Sequence, residues 1–324
     1  MVSPIYKYLP RRIIVAAATL VAVSAAIFAI VEVLPGDIAR LMLGPFASEA
    51  DMEIIRQQLG LERPFLTRYW EWANGLAAGD WGQSWRLHVP IGPLLASRMI
   101  NSVLLAAVSL LIVVPLSILA GVIAAQRRGR LTDHAITLAG MGLTAIPEFV
   151  SSMFLILVFS LWLGVLPASA RISSSDGFLT MISALLLPAT ALGLVLFGYL
   201  SRMVRASMVE ELGRGYVRTA TLKGIAPAAV VLRHALPNAL LPAVTVIANQ
   251  ISWLVGGLVV VENVFNYPGI GQLLLQAALG QDVPLLEAVV LVLAAILIVS
   301  NLVADLAYGL LNPVVRVGTG RVAP

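Results

Sequence analysis

The 324-residue chain contains no cysteine. That excludes disulfide frameworks, thiolate metal sites and cysteine nucleophiles, without fixing a compartment. Charge is scarce as well: Asp, Glu, Lys and Arg together make up 12% of the residues, about half the share usual in soluble domains. Only two lysines occur, Lys7 and Lys223. Neither closes a Gly-x-x-x-x-Gly-Lys loop, so the chain has no nucleotide site of that kind, and whatever energises it must come from elsewhere. No Gly-x-Ser-x-Gly elbow is present to support a serine hydrolase. The three histidines, His88, His134 and His234, are scattered, and a metal site needs converging ligands.

Apolar residues are what the chain has in excess: 59% of the total, with a mean hydropathy of +0.93. A soluble protein of this composition would expose apolar surface almost everywhere, whereas lipid accepts it. Since a helix needs about 20 apolar residues to cross the hydrocarbon layer, six crossings would use roughly 130 residues and leave ample chain for loops. Six runs qualify: Ile13–Leu34, Ile100–Ala125, Ala135–Val165, Phe178–Leu200, Ala239–Val261 and Leu285–Leu311. The first follows Lys7, Arg11 and Arg12, and at 22 residues it exceeds the core of a signal peptide, so it is expected to be a retained span. Pro147 interrupts the third and should kink it. With both ends inside, the inner segments 1–12, 126–134, 201–238 and 312–324 hold 14 of the 21 basic residues, while the short outer loops hold only Arg171. This gives an all-α integral membrane protein of six transmembrane helices with both termini cytoplasmic. Its divisions are an N-terminal segment and first span over 1–34, an external loop region over 35–99, a five-helix core over 100–311, and a tail over 312–324. No internal duplication is apparent, which argues against a self-contained carrier built from repeated halves.

Within 35–99, Ser48 followed by Glu49, Asp51 and Glu53 marks a capped helix that Leu59-Gly60 would end. Trp70, Trp72, Trp81 and Trp85 fit a loop lying against the membrane interface, or equally a small packed cap. The most structured of the inner segments is 201–238. Val204, Met208 and Leu212 recur every four residues, one face of a helix. Tyr216–Lys223 forms a second short helix with Gly224 placed to end it. Pro227 opens a third, Ala228–Leu236, which Pro237 should terminate. Two short helices joined at a glycine would project an elbow into the cytoplasm.

That elbow resembles the inner-loop motif of the membrane subunits of ATP-binding-cassette importers: Glu-Ala-Ala, three residues, Gly, nine residues, then Ile-x-Leu-Pro. At the same spacing the chain has Arg218-Thr219-Ala220, Gly224 and His234-Ala235-Leu236-Pro237. Ala220, Gly224, Leu236 and Pro237 match. The departures, Arg218-Thr219 and His234, look like the peptide/nickel permease branch, as do Tyr216 and Lys223. Similar fragments run the length of the chain: Tyr8-Leu9-Pro10-Arg11-Arg12, Leu34-Pro35-Gly36-Asp37, Leu59-Gly60-Leu61 with Arg63-Pro64, Gly79-Asp80-Trp81-Gly82, Val261-Glu262 with Phe265 and Tyr267-Pro268-Gly269-Ile270-Gly271, and Asp305-Leu306 leading to Asn312-Pro313.

The resemblance implies a type I ABC importer permease fold and a non-catalytic subunit. Its implied partners are a second, related permease chain, two cytoplasmic ATPases and an external solute-binding protein. No cofactor is expected in this chain, since ATP and magnesium would reside in the ATPases, and no nucleic acid is expected as a partner. Tyr216, Arg218, Thr219, Ala220, Lys223, Gly224, Leu236 and Pro237 would couple it to the ATPases. Outer segments 35–99 and Glu262–Asp282 would receive the binding protein. Cargo is expected to be di- or oligopeptides or similar small solutes; the rivals are a self-powered secondary carrier and an intramembrane enzyme. Glu148, just after Pro147, is either a pathway-lining group that senses solute charge or a carboxylate paired or hydrated at the kink. Glu32 and Asp305 near span ends, and Asn101, Asn249 and Gln250 within spans, are expected to be structural.

Overall fold

A computed structural model describes residues 5–33, 48–58, 63–171 and 177–311. The Leu34-Pro35-Gly36-Asp37, Leu59-Gly60-Leu61 and Asn312-Pro313 fragments lie outside that set, as do the side chains of Glu32, Asn249, Gln250 and Asp305. The described chain is helical, apart from a single bridge between Gln83 and Pro90. In lipid every backbone polar group must be satisfied within the chain, and helices achieve this segment by segment.

The elements in order are α1 (Ile5–Val33), α2 (Glu49–Gln58), α3 (Phe65–Ala77), α4 (Ile91–Gln126), α5 (Leu131–Ala145), α6 (Glu148–Leu155, continued by a π-helical stretch Ile156–Trp162), α7 (Phe178–Leu212), α8 (Gly215–Leu222), the single turn α9 (Pro227–Ala229), a π turn (Val230–Ala235), α10 (Leu236–Val264), α11 (Ile270–Leu279) and α12 (Val283–Leu311). Among the described residues, four stretches are long and apolar enough to cross a membrane: Pro10–Ile30, Ile91–Gln126, Phe178–Leu212 and Val283–Val303. α5 and α6 together make a fifth, bent by 111° at Pro147. The bend is far sharper than a proline kink inside a continuous helix. Ile146 and Pro147 leave helical geometry altogether, with ψ values of 127° and 143°.

The sequence-derived limits shift in several places. α4 starts at Ile91, inside the stretch assigned to the external loop, rather than at Ile100. α7 does not end at Leu200 but runs on to Leu212, carrying Val204 and Met208, both fully buried, on the face the four-residue spacing marked. Pro237 does not terminate a helix; it sits in the first turn of α10, where its missing N–H is harmless. The outer stretch 262–284 is no simple loop but contains α11.

Small residues let the long helices approach. α4 packs along α7, which also contacts α5 and α10. A Cβ on Gly193 would collide with Val113, and one on Gly198 with the Gly140 carbonyl and Thr144. A Cβ on Gly121 would stand 2.7 Å from both the Ser201 carbonyl and Val204. Such close approach replaces the hydrophobic drive that lipid does not provide between helices. The core falls into three stacked groups: Ile91, Leu95, Leu273 and Leu285 at one end; Leu105, Leu185, Leu192 and Leu258 in the middle; Val204, Met208, Val217 and Ala220 at the other. Asp133 and Arg205 clamp α5 to α7 through two hydrogen bonds, one of 2.7 Å, and Gly129 N donates to the same carboxylate at 2.9 Å.

Outside this bundle, Ser48 caps α2, its Oγ accepting from Asp51 N at 3.2 Å. Phe28 of α1 meets Phe65, Tyr69 and Trp72 of α3 in an aromatic cluster, and Trp81 lies under Gly92. Trp72 and Trp81 therefore belong to a packed cap, while Trp70 is exposed.

Overpacking a close helix contact costs about 1–3 kcal/mol. Gly198→Leu is expected to lower the melting temperature of the detergent-purified subunit, whereas Gly142→Ala, where a Cβ meets nothing, is expected to leave it unchanged.

Candidate functional site

The elbow is built where α7 leaves the bundle. α7 ends at Gly213, and after Arg214 the chain turns into α8. α8 ends in a Schellman arrangement: Gly224 N donates to Thr221 O at 3.0 Å and Ile225 N to Ala220 O at 3.3 Å. Gly224 has φ +78°, a conformation that disfavours any Cβ. A Cβ there would meet nothing within 4 Å in this chain, so backbone conformation rather than internal crowding requires the glycine. Beyond the corner, the π turn runs without a break into α10. Pro237 follows that turn, in the first turn of α10.

The sequence-marked residues separate into two sets. Val217 and Ala220 are buried against the Val204–Met208 group, and Leu236 is half-buried with them, so Ala220 and Leu236 fasten the elbow to its own subunit. Arg218, Thr219, Lys223 and Gly224 are exposed, as is Pro237. Leu222 projects beside them at 79% exposure, an apolar residue that sequence reasoning passed over. Among the described residues neither Arg218 nor Lys223 takes part in an ion pair, while Arg214 is held by Glu210 (2.8 Å) and Glu211 (3.3 Å).

Tyr216 is an internal brace. Its hydroxyl donates to Glu211 Oε2 at 2.6 Å and accepts from Asn238 Nδ2 at 3.0 Å, and the same Asn238 amide reaches His234 O at 3.2 Å. One side chain thus joins the end of α7, α8 and the start of α10. Desolvation by these elements, followed by the Glu211 carboxylate, raises the phenol above its usual range. Glu211 and Asn238 carried no sequence signal, because the partners meet only when the elbow closes.

Glu148 begins α6 at the 111° break. It lines a cavity of about 510 Å³ with Thr144, Ala145, Val195 and Tyr199. Its two carboxylate oxygens lie 2.8 and 3.0 Å from where a Cβ on Gly257 of α10 would stand, and the buried Oε1 has no hydrogen-bond partner among the described residues. The internally paired alternative for Glu148 is therefore not what is found. Arg202, the nearest basic residue along α7, stacks on Tyr199 at 5.4 Å and donates to Gly198 O at 2.9 Å.

At the opposite end, two carboxylates placed by sequence in an outer landing area are buried. Glu262 accepts from Ser102 Oγ, Gly271 N (2.7 Å) and Gln272 N (3.0 Å), capping α11 from the last turn of α10. Asn101 Nδ2 donates to Pro268 O and Tyr267 Oη to Asn101 O, both at 2.8 Å, which makes Asn101 structural as expected. Asp282 accepts from Ser84 Oγ and from the amides of Trp85 and Arg86, both at 3.2 Å. Neither acid presents its charge to a partner; both tie distant segments together. No group of three or more metal-ligating side chains occurs among the described residues.

Two outcomes follow for the brace. Tyr216→Phe is expected to speed amide exchange in α8 by up to about tenfold, the scale of one lost hydrogen bond. A raised phenol pKa in the fold means that the brace's contribution is complete below pH 10 and is lost only as pH rises through the higher folded value. The difference in phenolate absorbance between the parent chain and Tyr216→Phe should therefore titrate above 10.

Comparison with known proteins gives this architecture its family. Residues 117–317 match the family described as the binding-protein-dependent transport system inner membrane component, and residues 5–90 match the N-terminal region of such membrane components. The glutathione transport system permease protein GsiC of Escherichia coli (strain K12) is 38% identical over 311 residues, covering 96% of this chain and 99% of that protein. GsiC of Shigella flexneri serotype 5b is likewise 38% identical, and that of Shigella boydii serotype 4 is 37% identical, each with the same coverage. The chain belongs to the binding-protein-dependent family of inner-membrane permeases of ATP-binding-cassette importers, as a non-catalytic membrane component.

Proposed function

We propose that this permease supplies half of a translocation pathway for di- or oligopeptides or similar small solutes, glutathione-like peptides among them. Its elbow over 216–237 is the joint to the ATPases. In this reading there are six spans in a type I arrangement: the four long apolar stretches, the broken α5–α6 pair and α10. Both termini face the cytoplasm, and the chain divides at about 1–34, 35–99, 100–311 and 312–324, with α4 starting ahead of the 99/100 division. The other half of the pathway is a related but different permease chain. Two ATPases bind on the inner side and a solute-binding protein delivers cargo outside, onto the exposed parts of 35–99 and of α11. Glu148 lines the pathway.

The observation that carries this reading is the division of labour within α8. One face is locked to the subunit through Val217 and Ala220, while the other offers Arg218, Leu222 and Lys223 to a partner. A helix held this way moves as a rigid body with α7 and α10. Motion of an ATPase seated on its outer face would then reach two spans at once. Arg218 and Lys223 suit a partner's carboxylates and Leu222 an apolar groove, the combination of anchors that interfaces favour. Transport would alternate between an outward-open state, with the ATPases closed on ATP, and an inward-open state after hydrolysis.

The test uses the complete transporter in proteoliposomes. Gly224→Val forces a β-branched residue into φ +78° and is expected to abolish ATP-driven uptake while the subunit still inserts. Gly224→Asn, which tolerates that conformation, is expected to retain part of it. Arg218→Glu should lower the amount of ATPase that co-purifies. Normal uptake and normal ATPase retention in Gly224→Val and Arg218→Glu would contradict the assignment.

A further inference from the structure

The break between α5 and α6 has the ingredients of a cation site. The amide ladder of α5 ends with Ile146 N donating to Gly142 O at 3.2 Å. Pro147 has no N–H, and the first bonded amides of α6, Val150 N (3.0 Å) and Ser151 N (3.2 Å), both turn to Pro147 O instead of reaching back to α5. The C-terminal end of a half-helix carries partial negative charge, and broken helices within membranes use such ends to hold cations. Thr144 and Ala145, from that last turn of α5, line the cavity beside Glu148.

The carboxylate is short of donors in a way the neighbourhood does not repair. Ser151 and Ser152 are within reach in sequence, but both hydroxyls donate to the Glu148 backbone carbonyl, at 2.9 and 2.7 Å. Oε1 is enclosed, without a partner among the described residues. Gly257 keeps room for it, since a Cβ there would stand 2.8 Å from Oε1. An enclosed carboxylate oxygen left without a donor is costly, and an incoming cationic donor relieves that cost. The cavity, about 510 Å³, has the size of a small-ligand site, and the remaining walls from Val195 and Tyr199 are apolar and aromatic.

We propose that this cavity is a transit subsite for a primary ammonium group, with the Glu148 carboxylate accepting its N–H groups and the carbonyl end of α5 forming the second negative pole. The proposal rests on the reading of Glu148 as a pathway residue and defines what that residue recognises. A solute with a free amine would pause here on its way through, and one with a blocked amine would not.

The test uses the assembled transporter in nanodiscs, treated with dicyclohexylcarbodiimide, which modifies membrane-embedded carboxyl groups. The adduct at Glu148 is followed by mass spectrometry. Butylammonium at about nine times its apparent dissociation constant is expected to slow modification of Glu148 by about tenfold, the factor that occupancy sets, while butanol at the same concentration leaves the rate unchanged. Gly257→Ala should remove the protection by butylammonium. Equal rates in butylammonium and butanol, as for a carboxyl group merely hydrated at the break, would overturn the proposal, and so would a Glu148 that never reacts. ATP-driven uptake of a free-amine tripeptide and of its N-acetyl form is measured on the same preparation. Loss of all uptake with protection intact would overturn the peptide reading and leave the subsite standing. Equal uptake of both peptides with no protection would do the reverse.

Discussion

Inside a hydrocarbon layer a backbone amide or carbonyl has no water to turn to, and this constraint shapes the whole subunit. Helices meet it without help, so most of the chain is long helix. Each place where the helical ladder stops needs a specific remedy. At 262–272 the remedy is a carboxylate: Glu262 accepts the first amides of α11. At the elbow it is the Schellman pair on Gly224, followed by a π turn ahead of Pro237. At Pro147 the two half-helices part, a cavity opens, and Glu148 Oε1 finds no donor among the described residues.

Read in this way, the functional regions are the interruptions and the long helices are what positions them. Small residues at the α4–α7 and α5–α7 contacts fix the helices at close range, where a volume change is felt immediately. The Asp133–Arg205 clamp and the Tyr216 brace carry that rigidity out to the elbow. A stiff connection from α8 into α7 and α10 is what a subunit without its own nucleotide site requires, because the work must arrive from outside as displacement.

Much of this was legible in the sequence wherever the cause is local. Apolar runs marked the four long membrane-length stretches and the broken α5–α6 pair, Pro147 the interruption, Gly224 the corner, and the spacing of Val204 and Met208 the buried face of the extended helix. What escaped depends on residues far apart in the chain. Ser102 and Glu262 are 160 positions apart, Ser84 and Asp282 198, Asp133 and Arg205 72. Glu262 and Asp282 looked like outer-loop charges because nothing near them in sequence announces the amides they receive. Pro237 looked like a terminator because proline marks both the end of one helix and the first turn of the next, and only the chain direction beyond it decides between the two. Leu222 was overlooked for a related reason: an apolar residue on a short helix reads as core until the helix is oriented.

The central claim is that the outer face of α8 rests on a separate ATPase. Because the chain has no cysteine, Leu222→Cys places a single thiol on that face. With a flexible thiol–amine cross-linker applied to the purified assembly, the account predicts a dominant product joining this subunit to an ATPase, with a yield that changes between ATP-bound and nucleotide-free states. A thiol that cross-links only within its own chain, or to nothing, in an assembly where the ATPases are present would contradict it.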